Sequence, residues 1–238
     1  MRKPRVRQGI QKDQLFDVES PLAIELRRIL IRLSRFIDLD RKTCLMVTSS
    51  EQGEGKSLFT VHFSMVLAYH LKSSILLIDG DVRRPVQHQV FQVTRSPGLA
   101  EFLSATEGAE GIEPRQTQIA NLHFLPAGAA GQQPSQLFSG GRFRSAIQAL
   151  HQRYDCIIVD APPVVPVSDP LHYIEAADGV IFIVMAGRTH QDVVKRGVDI
   201  LKGSGANILG VVANNLSEVL PYYYDRKYYG YDRDRAHG

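Results

Sequence analysis

Four short stretches hold residues whose types and spacing suit chemistry. The first is Ser49-Ser50-Glu51-Gln52-Gly53-Glu54-Gly55-Lys56-Ser57. It follows a short apolar run, 44–48, and opens a segment of helical length, 56–71. Glycines let a backbone curl until several N–H groups point inward, and a helix N-terminus adds partial positive charge. A phosphate chain is the ligand this suits, with Gln52, Gly53, Glu54, Gly55, Lys56, Ser57 and Leu58 around it. Lys56 can reach the β and γ phosphates, and the Ser57 hydroxyl can ligate Mg²⁺. The usual pattern is G-x-x-x-x-G-K-[ST]; here its first position is Ser50, and Leu58 replaces a hydroxyl residue that often follows. An ordinary Gly-rich turn is the plainer reading, and the flanking strand and helix favour the phosphate loop over it.

The second stretch is Asp79-Gly80-Asp81-Val82-Arg83, leaving the apolar run 75–79. Two carboxylates this close often make only a turn. Beside a phosphate loop they also offer oxygen ligands to a cation and a group to orient a nucleophile. Third comes Asp160-Ala161-Pro162-Pro163 after the apolar Cys156-Ile157-Ile158-Val159. An apolar strand ending in Asp can hold its carboxylate near Mg²⁺, usually through water; otherwise that Asp caps a turn. The fourth is Tyr222-Tyr223-Tyr224-Asp225-Arg226-Lys227-Tyr228-Tyr229-Gly230-Tyr231, which holds six of the nine tyrosines. Such a tail can stack on single-stranded nucleic acid, but its acidic residues argue against that. Phosphate on a tyrosine adds about −1.5 to −2 charge, so the cluster can become strongly anionic.

These stretches need a scaffold. The 238 residues are 44% hydrophobic and 22% charged, with a net charge of +3. Such values exclude wholesale disorder and fibrous repeats, and the charge is too weak to argue for nucleic acid. Basic residues do gather in an N-terminal arm, 1–18, at Arg2, Lys3, Arg5, Arg7 and Lys12. No apolar stretch approaches the ~20 residues a membrane span needs, and no apolar h-region follows the arm. A cytoplasmic protein is expected, reaching a membrane only through its surface or a partner. The two cysteines, Cys44 and Cys156, lie in apolar runs and fit a reducing compartment. The histidines lack paired ligand spacing, so a zinc site is not expected.

Apolar runs at 44–48, 75–79, 122–126, 156–160, 180–185 and 208–213 alternate with helix-length segments at 56–71, 140–152, 169–177 and 190–203. The runs are apolar on both faces, as parallel strands covered on both sides are. The alternation predicts an α/β fold, a doubly wound, mostly parallel sheet, with ligands at the strand carboxyl ends. One domain over 19–220 is expected, with a flexible tail at 221–238. Its first element is a helix over 19–37, with Ser20 as N-cap and Pro21 as first helical residue. Leu22, Leu26, Ile29, Leu30, Leu33 and Ile37 form its apolar stripe.

Taken together, the motifs resemble the bacterial tyrosine kinases, the BY-kinase family that regulates capsule and exopolysaccharide synthesis and export. Gly53-Glu54-Gly55-Lys56-Ser57 looks like that family's Walker A loop, Asp79-Gly80-Asp81-Val82-Arg83 like its Walker A′ motif, and Asp160-Ala161-Pro162-Pro163 like its Walker B end. Leu125-Pro126-Ala127-Gly128, Val167-Ser168-Asp169 and Gly210-Val211-Val212-Ala213-Asn214 are similar to further family segments. The resemblance implies a P-loop NTPase fold of the deviant Walker A, MinD/ParA-like kind, with ATP and Mg²⁺ as cofactors. It implies an autokinase that phosphorylates Tyr222, Tyr223, Tyr224, Tyr228, Tyr229 and Tyr231 in trans. Lys56, Asp79, Asp81, Arg83 and Asp160 would be catalytic, and Ser57, Asp81 and Asp160 would hold the metal. Asp79 would orient or deprotonate the tyrosine, a role exchangeable with Asp81, and Arg83 would assist phosphates or acceptor. Asn214 would contact adenine. The family's ring-forming helix motif Glu-x-x-Arg-x-x-Arg is matched at Glu25 and Arg28, but Ile31 takes the third position, with Arg32 one residue later. Implied partners are further copies of the chain and a membrane polysaccharide co-polymerase-like activator, which would recruit it to the inner face of the membrane. A positioning ATPase of the ParA/MinD kind is the rival, but those carry a lysine where Glu51 stands. A non-catalytic nucleotide-gated scaffold is the other.

Overall fold

The computed structural model describes residues 17–39, 41–71, 73–104, 113–131 and 134–216. The N-terminal arm to residue 16 and all six tail tyrosines lie outside the described residues. In chain order the elements begin with α1 (Pro21–Leu33), β1 (Thr43–Ser49), α2 (Lys56–His70) and β2 (Ile75–Asp79). Then come α3 (Gln87–Val90), α4 (Leu99–Ser104), β3 (Arg115–Gln116) and β4 (Leu122–Leu125). A 3-10 segment (Pro134–Gly141) leads into α5 (Arg142–Leu150), β5 (Cys156–Asp160) and α6 (Asp169–Ile174). The last are β6 (Gly179–Met185), α7 (Gln191–Gly203) and β7 (Ile208–Asn214).

All seven strands form one sheet in the order β3-β4-β2-β5-β1-β6-β7. Every pairing is parallel except β3 with β4. Strands β1, β2 and β5 are buried along their whole length. Their unbroken apolar sequences are the result, because helices pack on both faces. Two apolar clusters lie on opposite sides of the sheet. One gathers Met46, Leu76, Ile157 and Phe182 with Phe143 of α5 and Tyr173 of α6. The other joins Leu45, Val47, Leu77 and Ile158 to Phe63 and Leu67 of α2 and Leu26 and Leu30 of α1. Cys44 and Cys156 are buried free thiols on these two sides.

Strand β7 departs from its expectation. Its sequence is as apolar as its neighbours', yet Val211 is 56% exposed. Among the described residues β7 is the last strand of the sheet. Short α3, α4 and β3 were not legible as periodic patterns, since elements this brief hold too few residues to show one. Helix α1 is shorter than the expected 19–37. Ser20 caps it, its hydroxyl accepting from the Ala23 N–H at 3.2 Å, and Pro21 follows. After Leu33 the chain enters a turn. Leu26, Leu30 and Leu33 are buried as the stripe requires, but Leu22 is exposed. Glu25 and Arg28 pair within the helix at 2.6 Å, and Arg28 and Arg32 are exposed.

Candidate active site

The loop between β1 and α2 takes the conformation its glycines permit. Gly53 and Gly55 have φ of 79° and 87°, a region that disfavours side chains. At Gly55 a Cβ would lie 2.0 Å from Asn214 Nδ2, so glycine is needed for space as well. Gly55 is also the N-cap of α2, and no side chain caps that helix. Its first N–H groups and its dipole are therefore available to an anion.

Glu54, expected beside the nucleotide, has a side chain with another task. It is buried, and its Oε2 accepts from the Glu51 N–H at 2.6 Å. Its Oε1 accepts from the Thr189 hydroxyl at 2.5 Å and the Met185 N–H at 3.4 Å. The carboxylate thus braces the loop against the segment after β6, leaving the backbone to face a phosphate. Asn214, at the end of β7, is also engaged with the loop. Its Nδ2 donates to the Glu54 carbonyl at 3.0 Å and its Oδ1 accepts from the Asn215 N–H at 2.9 Å. Gln52 Oε1 accepts from Arg84 at 2.6 Å, and the Leu58 side chain is exposed.

Strands β2 and β5 are in register, so Asp79 and Asp160 end side by side. Both are wholly buried. Asp79 Oδ1 accepts from the Asp81 N–H at 3.3 Å and Oδ2 from the Gln87 N–H at 3.2 Å. Burial, with Asp160 close by, pushes its pKa up to about 8. Asp160 Oδ2 accepts from Gln87 Nε2 at 2.9 Å. Its Oδ1 has no hydrogen bond, and Lys56 Nζ stands 3.8 Å away. Burial raises the Asp160 pKa, and the Lys56 ammonium and Ser57 hydroxyl draw it back.

Lys56 completes the cluster. Its Nζ lies 3.3 Å from Asp81 Oδ2 and 3.3 Å from the Ser57 hydroxyl. Burial disfavours the ammonium, but Asp160 and Asp81 outweigh this and its pKa is raised. The lysine is thus held charged. Ser57, Asp81 and Asp160 converge on it with hard oxygen donors, and the Asp160 oxygen without a hydrogen bond is the kind of group a cation satisfies. The cluster fits Mg²⁺.

A cleft of about 640 Å³ opens beside this cluster, lined by Glu51, Gln52, Asp81, Arg83, Arg84 and the Pro162-Pro163 turn among others. Asp81 reaches its wall. Arg83, expected to face phosphates or acceptor, lines this cleft while its Nε and NH2 donate to the two oxygens of Asp169. Motif reading missed Gln87, Tyr173 and the role of Asp169. Asp169 had a signal in Val167-Ser168-Asp169, whereas Gln87 and Tyr173 had none. Tyr173 is buried and donates to the Gly80 carbonyl at 2.6 Å.

Comparison with known proteins agrees with this fold. The family model ParA, described as NUBPL iron-transfer P-loop NTPase, matches residues 40–236. The putative tyrosine-protein kinase CapB of Staphylococcus aureus is 30% identical over 191 residues, 79% of this chain and 81% of CapB. Tyrosine-protein kinase CpsD of Streptococcus agalactiae is 32% identical over 192 residues, 80% of this chain and 82% of CpsD. The crystal structure of the chimerical protein CapA2B2 superposes with a TM-score of 0.77 at 26% identity, covering 87% of this chain and 90% of that one. On its phosphate loop, its sheet and these relatives, the chain belongs to the bacterial tyrosine kinase family, built on the ParA-type P-loop NTPase fold.

Proposed function

We propose that this chain transfers the γ-phosphoryl group of ATP to tyrosine hydroxyls, including its own C-terminal cluster in trans, and thereby regulates capsule or exopolysaccharide synthesis and export. The observation that carries this reading is the meeting of Lys56, Ser57, Asp81 and Asp160 in one cluster whose Asp81 lines a cleft of about 640 Å³.

The backbone amides of Gln52 to Leu58 hold the phosphates, and Lys56 stabilises the charge that develops on the transferring group. Mg²⁺ held by Ser57, Asp81 and Asp160, directly or through water, would supply further charge neutralisation. An incoming tyrosine meets Asp81, because Asp81 reaches the cleft while Asp79 is sealed behind it. Asp81 is therefore the better candidate to orient the hydroxyl and accept its proton. Asp79, bonded to the Asp81 N–H, shapes the turn that presents Asp81. Arg83, held by Asp169 in the wall of the cleft, assists the phosphates or the acceptor. Asn214 supports the loop and offers its remaining N–H toward a base.

Among the described residues no helix is long and apolar enough to cross a membrane. A membrane co-polymerase-like activator, recruiting the chain to the inner face of the membrane, and assembly with further copies through Glu25, Arg28 and Arg32 complete the proposal. The test uses two chains: Lys56→Met with its tail intact, and an active chain lacking the tail. With labelled ATP and Mg²⁺, label is expected on the tyrosines of the Lys56→Met chain only when both are mixed. ATP hydrolysis without any phosphotyrosine would instead favour a positioning ATPase.

A further inference from the structure

Gln87 opens α3 and is wholly buried. It touches both carboxylates of the sheet ends. Its N–H donates to Asp79 Oδ2 at 3.2 Å, and its Nε2 donates to Asp160 Oδ2 at 2.9 Å. One residue therefore links the ends of β2 and β5, where Asp79 and Asp160 are register partners. A carboxylate only accepts, so the Gln87 amide must turn its NH₂ toward Asp160. That bond takes up Oδ2 and restrains the carboxylate from rotating. Oδ1 is then the oxygen left for the Lys56 and Ser57 side. The Gln87 Oε1 is itself buried and without a hydrogen bond, as is Asp160 Oδ1. A buried polar atom without a hydrogen bond is unfavourable unless something fills the need. The two atoms belong to side chains in direct contact through the Nε2 to Oδ2 bond.

We propose that Gln87 is a positioning residue for the divalent cation: it holds Asp160 by Oδ2 and so leaves Oδ1 to serve the cation. This rests on the reading of Ser57, Asp81 and Asp160 as the cation-holding set. Residues that orient a metal ligand typically change metal affinity 10- to 100-fold when replaced. A mere strut between β2 and β5 would instead affect nucleotide binding with or without metal.

The experiment titrates Mg²⁺ against binding of a fluorescent ATP analogue, with EDTA as the metal-free reference. Gln87→Met keeps the length of the side chain but cannot donate to Asp160. Its half-saturating Mg²⁺ is expected to rise by about 10- to 100-fold, with metal-free affinity within about twofold of wild type. Phosphorylation should then recover largely at saturating Mg²⁺. Unchanged half-saturating Mg²⁺ would overturn the inference, as would a parallel loss of affinity in EDTA. Should Gln87→Met not fold, Gln87→Asn decides the matter. It keeps the backbone bond to Asp79 but is one methylene too short to hold Asp160, so its Mg²⁺ requirement should rise likewise. Wild-type binding that ignores Mg²⁺ would overturn the cation site itself, a different outcome from wild-type dependence left unaltered in the variants.

Discussion

Arg83 and Asp169 grip each other by two parallel bonds, Nε to Oδ2 at 2.5 Å and NH2 to Oδ1 at 3.0 Å. They lie 86 residues apart in the chain. Arg83 follows the turn after β2, and Asp169 opens α6. Further along α6, Tyr173 donates to the Gly80 carbonyl in that same turn. Helix α6 is thus fastened to the turn that carries Asp79 and Asp81 at two points. The planar guanidinium suits this two-point contact, and Asp169 is wholly buried.

Asp169→Asn removes the charge and leaves the Arg83 fork facing a neutral amide. Breaking one side of a fully buried pair costs about 3–5 kcal/mol. Arg83 is 37% exposed, and solvent screens its charge. A loss of about 1–3 kcal/mol is expected, read as a lower urea midpoint. Arg83→Lys should also lose stability, because an ammonium cannot make both bonds. A wild-type midpoint in Asp169→Asn would mean that the pair contributes nothing to holding the turn.

Gly55→Ala puts a Cβ where Asn214 Nδ2 lies 2.0 Å away, on a residue with φ of 87°. The loop must shift, and the Asn214 bond to the Glu54 carbonyl goes with it. Nucleotide affinity is expected to fall at least about tenfold, about 1.4 kcal/mol. Fluorescence titration with a nucleotide analogue checks this. Undiminished affinity would show that the loop does not form the phosphate cradle.

Asp79 makes stability depend on pH in the nucleotide-free protein. Its carboxyl titrates near 8 when folded, against 3.8 for the unperturbed group. Between those values the folded chain holds a proton that the unfolded chain releases. Stability from this group is full below about pH 4 and falls as pH rises toward 8. The slope is at most about 1.4 kcal/mol per pH unit for one proton, shared with neighbouring Asp160. Urea midpoints measured from pH 5 to 8 should fall in the wild type and flatten in Asp79→Asn. Equal slopes in both would place the proton on another group.

Much of the scaffold was readable because its causes are local. Six apolar runs became six parallel strands: burial on both faces keeps the central ones apolar, while β7, the last strand among the described residues, is apolar without being buried. Ser20 and Pro21 marked the start of α1, because capping acts within a single turn. Gly53, Gly55, Lys56 and Ser57 named the loop, because backbone curl and helix start are decided within a few residues. The apolar stripe does not mark the end of α1, since it continues past Leu33 into a turn.

What the sequence determined by itself was therefore the fold class and the identity of the chemical groups: a phosphate loop and three carboxylates at strand ends. Tertiary structure alone decided how those groups divide the labour. Strand order brought Asp79 beside Asp160, and packing sealed Asp79 while leaving Asp81 at the cleft. It gave Arg83 to Asp169, Asn214 to a loop carbonyl 160 residues away, and Asp160 to Gln87 across 73 residues. No local pattern encodes such partners. They follow from which strand ends the sheet sets side by side, and a buried polar group must take a partner from whatever lies there.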